Sequence, residues 1–163
     1  NGSYINTNIQ VSDSIVKGYY TSIYHPQKDS TLLIDRSSLE GMTGIVVKGG
    51  DVTINDSIVK GIGTQDQITE PKYSMSGFSD TGDGIYLEAN YEWDAIITVT
   101  GDKTVVTSEN AFAVRKYMAG EEGAYISLKA GIYNTDVSAY LATGAQQFES
   151  GENSFVVQTQ EQE

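Results

Sequence analysis

Apolar and polar positions along the chain recur in blocks. The segment Ile9-Gln-Val-Ser-Asp-Ser-Ile-Val-Lys-Gly18 returns nearly unchanged as Val52-Thr-Ile-Asn-Asp-Ser-Ile-Val-Lys-Gly61, and Leu32-Leu-Ile-Asp-Arg-Ser-Ser-Leu-Glu-Gly41 lies between them. The copies begin 23 and 20 residues apart. Each is rich in β-branched residues, closes on glycine, and is too short to bury its own apolar face, so it has to stack on its neighbours. Alignment turns the copies into columns. Ile9, Leu32 and Val52 form one apolar column and Val11, Ile34 and Ile54 a second, two residues on and therefore on the same face of a strand. A serine column follows (Ser14, Ser37, Ser57), then Val16, Leu39 and Val59, then Gly18, Gly41 and Gly61. Two more columns, Asp13-Arg36-Asp56 and Lys17-Glu40-Lys60, alternate in sign, which in-register stacking favours because directly opposed like charges destabilise a sheet.

Later segments carry the same pattern. In Ile126-Ser-Leu-Lys-Ala-Gly-Ile-Tyr-Asn134, Ile126 and Leu128 take the first apolar pair, Gly131 the serine position and Tyr133 the second apolar column. Ile97-Thr-Val-Thr-Gly-Asp-Lys-Thr-Val-Val106 fits in its first half and then inserts a Gly-Asp turn. A second strand type follows each repeat: Ser22–Tyr24, Gly44–Val47, Gly84–Leu87, Ala111–Val114 and Ala139–Ala142. Each turn thus supplies three strands separated by bends. The expectation is an all-β, single-stranded right-handed parallel β-helix (a β-solenoid) over residues 1–157. At roughly 20–25 residues per rung it has about six or seven rungs, about 4.8 Å apart. Residues 158–163 read as a tail or linker. Pro26 and its polar neighbours make 24–30 a loop that contains His25. The regularity fails over 62–83, where a loop too polar and broken for a rung interrupts the stack.

Composition narrows the partners. The net charge of −12, from 22 acidic and 10 basic residues, argues against nucleic acid, which needs a basic face, and against an anionic membrane surface. No apolar run is long enough for a transmembrane helix. Cysteine is absent, which excludes disulfides and thiolate chemistry. The chain begins at Asn1 rather than Met, as expected of a portion of a longer chain.

Residues 124–144 (Ala-Tyr-Ile-Ser-Leu-Lys-Ala-Gly-Ile-Tyr-Asn-Thr-Asp-Val-Ser-Ala-Tyr-Leu-Ala-Thr-Gly), followed by Ser154-Phe-Val-Val157, resemble a repeat of surface proteins from gut-dwelling bacteria. Thr135–Ala142 carries the match to that family's Ser-Asp-Pro-Ser-Ala-Tyr-Leu-Ala segment, and Ile132-Tyr133 stands where the family often has Thr-Phe. The resemblance implies a right-handed parallel β-helix and an extracellular or cell-surface setting. It brings no catalytic residue with it.

Because pectin-active enzymes share the β-helix, their motifs bear on function. Asn134-Thr135-Asp136 matches the polygalacturonase Asn-Thr-Asp, but the Asp-Asp, Gly-His-Gly and Arg-Ile-Lys that complete that site are missing. Neither arginine, Arg36 or Arg115, has an evident acidic partner set in sequence, and the one histidine, His25, has no positioned serine and carboxylate with which to form a triad. Stacked rungs can hold two acids at the separation that glycosidases use, and Asp80, Asp83, Glu88, Glu92 and Asp94 are the densest set. Asp80 and Asp83, in Ser79-Asp-Thr-Gly-Asp-Gly84, are also a weak candidate for calcium. Tyr73, Phe78, Tyr86, Tyr91 and Trp93, with Glu88 and Asp94, pair aromatic rings with carboxylates in the manner of a carbohydrate subsite for a polysaccharide or host glycan. The expected function is a non-enzymatic extracellular module, adhesin-like or carbohydrate-binding, of a larger bacterial protein. The alternatives are a polysaccharide-active lyase or hydrolase and a purely structural spacer.

Overall fold

The computed structural model describes residues 6–72, 77–89, 94–118 and 123–160. The first repeat forms β1 (Asn8–Ser12), β2 (Ile15–Lys17) and β3 (Thr21–His25), and the second forms β4 (Thr31–Asp35), β5 (Ser38–Gly41) and β6 (Thr43–Val47). The third contributes β7 (Gly50–Asn55), β8 (Ile58–Gly61) and, beyond the irregular segment, β9 (Ile85–Ala89). The fourth contributes β10 (Ala95–Thr100), β11 (Val105–Ser108) and β12 (Val114–Met118). A fifth supplies β13 (Ala124–Leu128) and β14 (Gly131–Tyr133), and the chain ends in a hairpin of β15 (Ala145–Glu149) and β16 (Phe155–Thr159).

Equivalent strands stack into three sheets. The first has the order β1-β4-β7-β10-β13, the second begins β2-β5-β8-β11-β14, and the third is β3-β6-β9-β12. Every pairing among these strands is parallel; only β16 and β15, which extend the second sheet past β14, run antiparallel. The molecule is therefore all-β and β-solenoid-like. The described residues hold five stacked levels rather than six or seven, because 62–83 adds no strand and the last residues fold back as a hairpin. Three local expectations are also corrected, the first being the strand expected over 111–114, which instead runs from Val114 to Met118. Ala139–Ala142 is not a strand: Ala139 and Tyr140 belong to a 3-10 turn at Ser138–Tyr140, and Leu141 makes one parallel bridge to Leu128. Strand β16 continues through Thr159, two residues beyond the expected end of the domain at residue 157.

The columns hold in three dimensions. Ile9 pairs with Leu32, Leu32 with Val52, Val52 with Ile97 and Ile97 with Ile126. Val16, Leu39, Val59, Val106 and Tyr133 line up likewise in the second sheet. All of these except Ile9, which is exposed at the end of the stack, pack with Ile45, Val47, Ile85 and Leu87 of the third sheet into one core cluster. Each of these large side chains, once fully buried, contributes about 1.5–3 kcal/mol of transfer free energy.

Polar groups at the bends are stacked as well. Asp13, Arg36 and Asp56, which open the bend between the first and second sheets, all have positive φ (49°, 46° and 44°). That left-handed conformation suits aspartate better than arginine. Arg36 is held by a bidentate pair to Asp13 on the level before, at 2.9 Å for both bonds, and by Asp35. The next residue is the serine. The amide of Ser14 donates to Ser37 Oγ (3.1 Å), that of Ser37 to Ser57 Oγ (3.0 Å) and that of Ser57 to Thr104 Oγ1 (3.4 Å). Each hydroxyl in turn donates to a carbonyl on its own level, so the bend's backbone groups are paired without a strand ladder. The glycine column has a steric cause: a Cβ on Gly61 would overlap the Gly82 carbonyl oxygen and lie 2.5 Å from that of Asp83.

Candidate functional site

The third sheet departs from the usual arrangement of one buried and one solvated face. All residues of β6 and β9 are buried, those pointing away from the core included. Alternation along β9 sends Ile85 and Leu87 inward and Tyr86 and Glu88 outward. The outer face is covered by the irregular segment. Gly77 O accepts from Lys48 Nζ (2.8 Å) and Tyr24 Oη (3.2 Å), the Phe78 ring lies 5.0 Å from that of Tyr24, and the Gly82 amide donates to Thr43 Oγ1 (3.0 Å).

Two ion pairs lie beneath this cover. Lys48 Nζ is 3.0 Å from Glu88 Oε1, and both side chains are 0% exposed. Asp83, also 0% exposed, accepts from Arg115 Nε (2.7 Å) and Nη2 (2.9 Å) and from the Phe112 amide (3.1 Å). The guanidinium donates further to Thr81 O (3.2 Å) and sits 4.8 Å from the centre of the Phe112 ring. Burial pushes the Asp83 carboxyl up, against the pull of Arg115, and burial also raises Asp80. The Tyr86 hydroxyl is raised by burial and by the neighbouring charge of Glu88. Arg36 thus pairs with its column neighbour Asp13, whereas the bidentate partner of Arg115, Asp83, has no signal in the repeats.

The structure distributes the sequence candidates unevenly. Tyr86, Glu88 and Asp83 are enclosed, and Phe78 is half-buried against Tyr24. Asp94 is exposed, its carbonyl accepting from the Gly50 amide at 2.9 Å, and it shares a shallow depression with Asp29 and Asp51. Tyr73, Tyr91 and Trp93 lie outside the described residues, as does Glu92. Among the described residues, no group of three or more acidic or histidine side chains is placed to hold a metal, and the Asp83 oxygens proposed for calcium are taken by Arg115 and the Phe112 amide.

His25 differs from the expected loop position. It is the last residue of β3, in register with Val47 and therefore in a core-facing row, and it is buried. Its Nε2 lies 3.1 Å from Ser30 Oγ, a serine–histidine contact with nucleophile–base spacing. The Ser30 hydroxyl, however, donates to Gln27 O (2.7 Å), and Gly50 packs against it so closely that even a Cβ there would lie 2.8 Å from Oγ. The pair closes the turn that leads into β4. Burial lowers the His25 pKa and keeps the ring neutral.

Chemically, the arrangement is a set of ion-paired internal charges. A two-carboxylate hydrolase needs one acid free to donate a proton and another free to attack or to activate water; here Asp83 and Glu88 are each bonded to a cation beneath a cover. The Lys48–Glu88 pair did have a signal in the chain. Aligning Gly44-Ile-Val-Val-Lys48 with Gly84-Ile-Tyr-Leu-Glu88 places the two charges on adjacent strands. No helix among the described residues is long and apolar enough to cross a membrane. Comparison with protein-family models, with curated proteins and with solved structures gave no match to this chain.

Proposed function

We propose that the chain is a non-enzymatic module of an extracellular or cell-surface protein, a right-handed parallel β-helix that presents rigid outer faces to its partners. The connections support the right-handed reading: each passes from one strand through two other sheets to a parallel neighbour, and such crossovers are almost always right-handed. The observation that carries the functional reading is the enclosure of Asp83 and Glu88, each on a cation, which makes these acids part of the fold's internal support. The glycan-binding form of the reading rests on exposed Asp94 together with Tyr91 and Trp93, its neighbours in sequence, rather than on Tyr86 and Glu88.

A glycan array run beside turnover assays on acidic and neutral polysaccharides tests this. Binding that is lost in Trp93→Ala, with no product from any polysaccharide, supports the adhesin-like reading. A blank array without turnover reduces it to a spacer. Product formation abolished by Asp80→Asn or Asp94→Asn overturns it in favour of an enzyme.

A further inference from the structure

The outer face of the second sheet carries an apolar stripe that the inward columns do not predict. Ile15 pairs with Ser38, Ser38 with Ile58, Ile58 with Val105, Val105 with Ile132, Ile132 with Val156 and Val156 with Phe148. The row therefore crosses all seven strands on one face. Ile15 is 76% exposed, Ile58 39%, Ile132 38% and Phe148 46%, so the stripe meets water along its length. A run of exposed apolar side chains that spans a whole sheet differs from the scattered ones normal on a protein surface.

The charges beside the stripe identify what fits it. Two residues before the stripe position, successive levels carry Asp13, Arg36 and Asp56; two residues after it, they carry Lys17, Glu40 and Lys60. On each of these three levels the leading and trailing charges are opposite. The leading column shares a groove with the stripe, lined by Asp13, Ile15, Arg36, Ser38, Asp56 and Ile58. Within the columns, Asp13–Arg36 and Lys17–Glu40 are the ion pairs formed among the described residues.

We propose that this face binds a second copy of the chain about a two-fold axis parallel to the stack of strands. That operation lays stripe on stripe and sets the leading side of each level against the trailing side of the same level in the partner. Asp13 then faces Lys17, Arg36 faces Glu40 and Asp56 faces Lys60, each twice by symmetry. An antiparallel pairing centred on Ile58 instead sets Asp56 against Asp56, Lys60 against Lys60 and Arg36 against Lys103. An antiparallel pairing centred between Ser38 and Ile58 would also oppose unlike charges but overlaps only four of the seven strands, so charge and overlap together favour the parallel arrangement. Seven strands about 4.8 Å apart and five residues at about 3.3 Å each give a contact on the order of 400 Å² of sheet per copy. This is at the small end of specific interfaces, so the dimer forms reversibly and weakens with salt. The inference does not depend on what else the module binds.

Sedimentation velocity over a concentration series, at low and at 0.5 M salt, provides the test. The wild-type chain is expected to show a concentration-dependent dimer that loosens in salt. Lys60→Glu should raise the dimer Kd at least tenfold, and Lys60→Glu combined with Asp56→Lys should restore it. Because Asp56 has positive φ, circular dichroism has to show that the double variant is folded; if it is not, Ile132→Asp, which should abolish the dimer, decides. A monomer at every concentration overturns the proposal, and so does association unaffected by both Lys60→Glu and Ile132→Asp.

Discussion

Ser37 stands inside a column in which each hydroxyl after the first accepts from the level before and donates within its own. Ser37→Ala removes the acceptor of the Ser14 amide and leaves the Asp35 carbonyl without its hydroxyl donor. The expected cost is about 1–2 kcal/mol in urea unfolding. Ser14→Ala, at the half-buried end of the column, removes only the bond to Ser12 O and should cost distinctly less. His25 supplies a pH signature. Burial lowers its pKa in the fold, so the unfolded chain binds the proton more readily and stability rises with pH. The His25 contribution is full above its ordinary value of about 6.5 and is lost as the pH falls from there through the lowered folded value. Melting temperature should therefore drop between pH 7.5 and 5.5 more steeply in the wild type than in His25→Gln. Asp80 and Asp83, raised by burial, act in the opposite sense nearer the ordinary carboxyl range. Repetition made the serine column legible, since three copies show the same residue at the same place. His25 was not legible: Pro26 beside it marks a turn, and only the pairing with Val47 reveals that the strand runs one residue into that turn.

At the scale of elements, the irregular segment and the third sheet form one unit, joined by buried charge. Removing one member of the Lys48–Glu88 pair leaves the other charge enclosed. Lys48→Met or Glu88→Gln alone should therefore destabilise by about 3–5 kcal/mol, and Lys48→Met with Glu88→Leu should recover much of the loss. A double-mutant cycle followed by chemical denaturation checks this; near-additive single effects would mean that the two side chains stand apart. The sequence marked 62–83 as irregular because its polar and glycine-rich composition breaks the period of two. That the same segment lies over the outer faces of β6 and β9 was not legible, because the partners are distant in the chain: Lys48 with Gly77, and Arg115 with Asp83. The aromatic cluster misled for a related reason. Tyr86 and Glu88 look like an exposed amphipathic pair until a cover is placed over their face of the strand.

Over the whole molecule, three parallel sheets carry three different outer faces. The first is mixed, with Thr31, Thr53 and Thr98 but also Leu33 and Tyr125 among its outward residues; the second bears the apolar stripe; the third is sealed. Inward columns were readable because core packing demands apolar residues at every level. The outward stripe is not legible in the chain because its members change from isoleucine to serine, valine and phenylalanine, and only the strand register makes them one row. On the third face Asp83 and Glu88 are buried and each held on a cation, and the proposed non-enzymatic role rests on that enclosure. Carbodiimide labelling of carboxylates, read residue by residue by mass spectrometry on the native protein, tests this most directly. The account predicts that Asp51, Asp94 and Asp136 label rapidly while Asp83 and Glu88 stay protected until the protein unfolds. Labelling of Asp83 and Glu88 at the rate of Asp94 would contradict it, and would return those acids to the set available for binding or catalysis.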